Sequence, residues 1–319
     1  MGHEATIEIQ EQRPSPLAWI LAAVLAALLG FSFYDPIAWM IERWSLPDSY
    51  YSHGFLVPVV AGYFVWRDRH ALMAEAPRRF VPGLLLVLAG LLILLSSGWI
   101  SVFFTAGFAL ILTAWGVAGY VLGAGVMRRL LFPVFLLLFM VPPPLQWIET
   151  FSFNLKIMVA HITVFLLDMA GIAAVIGRGS TIFLETTTVT VGNACSGLRS
   201  LIALIFLGIL FAAWAKMPFH RRALLFLLSM PIAIISNVAR VLLLCLVAWK
   251  WGGDAIMAEH SFFGIKTSVH DVSGYLIFIV AYALLYLTLK LLLRGLPQDE
   301  VATEPAADAA AAAPPVGRP

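Results

Sequence analysis

Long apolar runs broken by short polar stretches set the pattern of this chain. They occupy residues 17–34, 53–66, 82–98, 100–125, 129–147, 156–177, 197–215, 222–250 and 272–293. A helix crossing the hydrocarbon core needs roughly 20 apolar residues, and most of these runs approach or exceed that length. The run at 53–66 is short and recruits Tyr50, Tyr51 and Ser52. Spans of a β-barrel would be alternating segments of about ten residues, which these Leu/Ala/Val/Phe runs are not. The pattern predicts an all-α polytopic membrane protein.

Positive side chains orient it. Arg67, Arg69, Arg78 and Arg79 form one basic loop, Arg128 and Arg129 a second, and Lys216, Arg221 and Arg222 a third, with Lys290 and Arg294 after the last run. All are expected to face the cytoplasm, and the loops at 35–52, 142–153, 179–196 and 251–271 to face outward. If every run crossed, the second and third clusters would lie on opposite sides. Demoting 156–177 restores agreement, because Asn154, His161 and Asp168 put a polar stripe on one helical face there. The expectation is about eight transmembrane helices plus one interfacial or re-entrant helix, with both termini cytoplasmic. Residues 1–16 form an N-terminal segment, 17–295 the transmembrane domain, and 296–319 an Ala/Pro-rich disordered tail. Glu4, Glu8 and Glu11 argue against a cleavable signal at the first run. Residues 179–192 are β-branched, loosely alternating and bounded by glycines, and predict a short outward β-hairpin.

Composition agrees. Hydrophobic residues make up 61% of the chain and charged residues 12%, against about 45–50% and 25% in soluble domains. A formal net charge of +2 offers no basic face for nucleic acid. The two cysteines are too few for a disulfide framework.

Ionisable groups within spans are costly and usually mark function or a buried pair. Cys195 lies in Asn193-Ala194-Cys195-Ser196-Gly197-Leu198-Arg199, at the outer mouth of the run after the hairpin. A helix N-terminus and nearby cations favour the thiolate there; the plain alternative is a packed small hydrophobe. Cys245 has no such surroundings and is expected to fill the core. Arg240 comes three residues after Asn237, so the two share a face, with Pro231 two turns earlier. Arg240 is read as an oxyanion-stabilising cation, or else as a helix tie. Arg199 competes for that role, or simply pairs with Glu185. His270, Gly274 and Phe278 also share one face; Gly274 admits a close neighbour beneath the imidazole, and His270 suits proton transfer at neutral pH. Asp271, adjacent but on another face, is a poor orienting partner. His53, in Tyr51-Ser52-His53-Gly54, stands with aromatic residues at an outer mouth, either as interfacial packing or in support of the site. His260 reads as loop polarity. No His or Cys pair has zinc-ligand spacing, so no metal is expected; there is no phosphate loop, HExxH or GxSxG pattern.

These pieces, in this order, resemble the exosortase/archaeosortase family of membrane transpeptidases. Tyr51-Ser52-His53-Gly54 with Leu56-Val57-Pro58 is similar to its early motif, and Arg128 to Pro142 to its basic-to-proline segment. Ala194 to Arg199 resembles its cysteine motif, Asn237 with Arg240 its N-x-x-R, and His270 with Gly274 and Phe278 its H-x-x-x-G-x-x-x-F. The resemblance implies a catalytic set of Cys195, Arg240 and His270, with His53, Tyr51, Asn237, Arg199, Gly274 and Glu185 as supporting or substrate-binding candidates. It implies a cysteine peptidase/transpeptidase without cofactor, set in a bacterial inner membrane with its site on the extracytoplasmic side. Its substrates would be C-terminal sorting tails of exported proteins: a short motif such as Pro-Glu-Pro, one transmembrane helix and a basic cluster. The acceptor nucleophile stays open, water or an amine. A transporter, or a non-catalytic envelope export or assembly factor, is the alternative. Against transport stand the missing internal repeat and the lack of a charged pathway at mid-membrane.

Overall fold

The computed structural model describes residues 16–46, 49–75, 78–100, 102–192, 196–215, 217–262 and 265–294, with the backbone alone at 16–19, 21–22, 259–262 and 265–266. The chain is mostly helical and divides into two compact units between Pro142 and Pro143.

In the first unit, α1 (Pro16–Ser32) bends at Phe33 into α2 (Tyr34–Ser45), at an angle of 52°. A helix thus occupies ground expected to be loop; Pro36, Met40 and Trp44 recur on its buried face. A 3₁₀ turn (Ser52–Phe55) leads into α3 (Leu56–Arg67), whose 12 residues are too few to cross by themselves. Next come α4 (Arg69–Met73), α5 (Pro82–Trp99), α6 (Phe103–Leu122), α7 (Ala124–Arg129) and α8 (Leu131–Leu137), which runs on into a 3₁₀ turn, Leu138–Met140. α5 and α6 pack backbone to backbone through glycine: a Cβ at Gly116 would lie 2.8 Å from both the Gly83 carbonyl oxygen and the Val87 nitrogen. Small residues allow such approach where lipid gives helices no hydrophobic reason to associate.

The second unit begins with α9 (Leu145–Met169), because Pro142-Pro143-Pro144 cannot be held in a helix interior and releases the chain to restart at Leu145. Three strands come after it, β1 (Ala174–Ile176), β2 (Thr181–Leu184) and β3 (Thr188–Thr190), antiparallel in chain order. The expected hairpin is therefore β2–β3, and the end of the run read as 156–177 supplies a third strand. α10 (Leu198–Trp214) and α11 (Phe219–Trp251) come next. After them stand a short α12 (Asp254–Met257), the paired strands β4 (Glu259–Phe262) and β5 (Ile265–Ser268), and α13 (Val269–Leu293). The second strand pair lies in a stretch that carried no alternation of its own.

Among the described residues, two cores stand out in this unit. Ile182, Leu184, Val189 and Val191 seat the sheet on Val159, Ala160 and Leu167 of α9 and on Val238, Val241, Leu244 and Cys245 of α11. Cys245 is fully buried there, as core filler. Leu204 and Phe211 of α10, Leu225 and Ala233 of α11, and Ala281 and Leu285 of α13 form the other. At the start of α11, Arg221 donates from Nη1 to the carbonyls of Leu292 (2.5 Å) and Arg294 (3.3 Å), tying that end to the end of α13. The basic clusters around 221 and 290–294 thus share one end of the unit.

Among the described residues, five helices, α5, α6, α9, α11 and α13, are long and apolar enough to cross a membrane, or six if the bent α1–α2 pair is one span. The expected number was eight. α9, which includes most of the run at 156–177, has spanning length, while the segment Leu131–Met140 and α10 are shorter.

Candidate functional site

Three of the sequence motifs meet in the second unit, on α10, α11 and α13. α10 starts at Leu198 with Gly197 as its N-cap, in the left-handed region at φ +78°. Cys195 therefore precedes the first turn rather than opening it, and it lies outside the described residues, as do Asn193 and Ala194. The two residues after the cysteine are each held by a contact. Ser196 is fully buried and its hydroxyl accepts from the Leu198 N–H (3.3 Å). Gly197 lies against the Asn237 carboxamide, where an added Cβ would sit 2.6 Å from Cγ and Nδ2. Asn237 is itself only 2% exposed.

One helical turn beyond Asn237, Arg240 reaches across to α13. Its Nη2 donates to the His270 carbonyl (3.0 Å) and its Nε to Ser273 Oγ (3.3 Å). Ser273 donates in turn to the same carbonyl (2.7 Å) and is 2% exposed. The guanidinium rests on Gly274, whose Cβ, if present, would stand 2.9 Å from Nη2. The close neighbour that Gly274 admits is thus the Arg240 side chain. A planar fork pinned by these bonds and a flat seat is pre-organised as an ammonium is not.

His270 begins α13, and its helix end is capped from both sides. Ser268 Oγ accepts from the Asp271 N–H (3.2 Å), while Asp271 Oδ2 accepts from the Ser268 hydroxyl (2.7 Å) and N–H (3.3 Å). This reciprocal capping box swings the Asp271 carboxylate back over the helix start. Its other oxygen comes 3.5 Å from His270 Nδ1. Asp271 is therefore a neighbour of the imidazole despite its helical position. The S-x-x-D spacing carried the signal; Ser273 carried none.

Arg199 is exposed on the first turn of α10. Glu185 is exposed in the bend after β2 and makes no ion pair or hydrogen bond among the described residues, so the alternative reading of Arg199, a pair with Glu185, is not formed there. Tyr51 and His53 belong to the first unit and are placed within it. Their rings lie 5.3 Å apart between centroids, and the His53 ring is bonded to the Phe139 backbone. Gly54 beside them leaves room for the Trp44 indole, whose Nε1 donates to the Met140 carbonyl (2.8 Å). No metal-ligating cluster occurs among the described residues.

This order of motifs can be set against known proteins. The sequence model of the transmembrane exosortase family matches residues 39–287, more than half of the chain. The chain belongs to the transmembrane exosortase family. It is accordingly a multi-pass membrane protein of a family of sorting enzymes. No curated protein and no solved structure matches. In this exosortase the matched region contains every residue of the contact path from Gly197 through Asn237 and Arg240 to His270.

Proposed function

We propose that this exosortase is an integral-membrane cysteine transpeptidase that cleaves the C-terminal sorting tails of exported proteins. One observation carries the reading: the segment just after Cys195 is seated on Asn237, one turn from an Arg240 bonded to the backbone of His270. Two peptide units span at most about 7 Å between Cα atoms, so the thiol is tethered to that seat.

The Cys195 thiolate attacks a peptide carbonyl of the tail, forming the C–S bond of a tetrahedral adduct. Arg240 stabilises its oxyanion. His270 gives a proton to the departing amine as the C–N bond breaks, leaving a thioester. It then takes a proton from the incoming nucleophile, which displaces the thiolate. Water completes hydrolysis and an amine completes transpeptidation.

The site belongs to the extracytoplasmic face of a bacterial inner membrane. The Arg221 end of α11, with its basic loop, marks the cytoplasmic side, and Arg240 lies nineteen residues along the helix, a rise of about 29 Å. The tail and its motif, Pro-Glu-Pro or another, are the partner. Arg199 and Glu185 stay supporting candidates.

Cys195→Ala tests the reading with an exported reporter that carries an extended linker, one transmembrane helix and a basic cluster. Full-length reporter should accumulate in the membrane. Normal processing would remove the nucleophile assignment. An impermeant alkylator should block processing in whole cells carrying the parent protein.

A further inference from the structure

The sheet ends at β3, the strand that runs on toward the cysteine segment. Its register with β2 pairs Thr181 with Thr190, Ile182 with Val189 and Phe183 with Thr188. The Val191 N–H donates to Ser180 C=O (3.1 Å) and the Leu184 N–H to Thr187 C=O (2.8 Å). Bonded and non-bonded pairs alternate along an antiparallel ladder. Residues 187, 189 and 191 therefore turn their backbone groups to β2, and Thr188 and Thr190 turn theirs outward. Both threonines are exposed, and neither has another backbone partner among the described residues. Val189 and Val191, at 7% and 2% exposure, hold the strand down on α11.

Native edges of this kind are usually blunted by lysine, proline or a covering element. This one reads Thr188-Val189-Thr190-Val191, without charge or proline. The opposite edge, β1, grows from the end of α9 and is separated from β3 by β2. The open edge ends five residues before Cys195. Outward groups on alternate residues, about 6.8 Å apart, match an extended backbone and no helix.

We propose that the exposed edge of β3 receives the extended stretch of the substrate tail as an added strand, its backbone bonded to the N–H and C=O of Thr188 and Thr190. The proposal rests on the transpeptidase reading and adds how the peptide is held beside the thiol. Main-chain bonding at the edge leaves side-chain selection to pockets on the two faces of the added strand.

A photo-crosslinking residue at Thr190, in a Cys195→Ala background with the tailed reporter, should yield a reporter adduct. The same residue at Val175, exposed on β1, should not. In the parent background, Thr190→Pro removes the outward N–H without removing a bond to β2. It should lower processing at least tenfold at normal protein level. Full processing by Thr190→Pro, equal adducts from Val175, no adduct from Thr190, or an adduct to a second copy of this protein would each overturn the proposal. Should Thr190→Pro fail to accumulate, the adducts alone decide. Normal processing by Cys195→Ala would remove the transpeptidase reading; a reporter adduct from Thr190 in that variant would still establish edge docking.

Discussion

Gly197 lies so close to Asn237 that a single added carbon at its Cα would stand 2.6 Å from the carboxamide. The residue after the cysteine motif's serine is thereby fixed to the first residue of the N-x-x-R pair. Glycine is required twice over, by this approach and by a φ of +78°.

Gly197→Ala should therefore be severe. The left-handed conformation alone costs about 1–2 kcal/mol for a residue with a Cβ, and the overlap with a buried Asn237 adds to it. The expected outcome is lost processing of a tailed reporter together with lowered protein level, checked by quantitative immunoblot of membranes. Asn237→Ala combined with Gly197→Ala should recover protein level only in part, since the overlap is relieved while the left-handed strain remains.

Arg240→Lys separates charge from geometry. Lysine keeps the cation but cannot hold the His270 carbonyl and Ser273 Oγ together as the guanidinium does. If Arg240 is the oxyanion donor, processing should fall by roughly 10²–10³, the usual cost of losing such a group. Membrane levels should stay near those of the parent. Processing within a factor of two of the parent would show that the fork is dispensable.

Much of this arrangement was legible in the sequence. The one-face spacings of Asn237 with Arg240, and of His270 with Gly274, are helical arithmetic, and both hold in α11 and α13. The β2–β3 hairpin was visible because β-branched alternation contrasts with the Leu/Ala runs around it. Three things were not. The helix Tyr34–Ser45 is amphipathic and only half apolar, so a search for apolar runs passes over it. The β1 strand hides in Ala174-Val175-Ile176, apolar residues that extend a helical run as readily as they form a strand. The approach of Asp271 to His270 depends on a cap that folds a side chain backward, which face assignment ignores.

Gly274→Ala probes the seat beneath the guanidinium. The new methyl would lie 2.9 Å from Nη2 and 3.2 Å from Cζ of Arg240, so the fork must shift by several tenths of an ångström. Misplacement of a positioned group by about 1 Å can cost 10²-fold in rate. A ten- to hundredfold fall, on the order expected for a partial shift, should appear in pulse-chase processing with little change in protein level. A bulkier Gly274→Leu should abolish processing.

The capping box at Ser268 and Asp271 should give two distinguishable effects. Ser268→Ala removes the cap acceptor for the Asp271 N–H, and cap losses of this kind cost about 1 kcal/mol. It should lower thermal stability of the detergent-solubilised protein. Asp271→Asn keeps an oxygen for the cap and removes the charge beside His270 Nδ1. It should leave stability nearly unchanged and slow processing several-fold. Equal loss of stability in both variants would assign Asp271 to the cap alone.

The path of the chain through the membrane can be tested between the two basic clusters at 128–129 and 216–222. The segment Leu131–Met140 has only ten residues, a rise of about 15 Å as helix, half the hydrocarbon thickness. α9 has 25 residues, about 38 Å. If α9 makes the outward crossing and α10 the return, both basic clusters face the cytoplasm, as their charge requires. His161 and Asn154, exposed on α9, then face either lipid or a partner at membrane depth. Reporter fusions at 128 and 219 should both signal from the cytoplasm and one at 178 from outside. Position 143 decides between the two ways of reaching that parity. A cytoplasmic signal there makes α9 the crossing helix; an outward signal means that the short segment crosses and α9 lies in the outer interface.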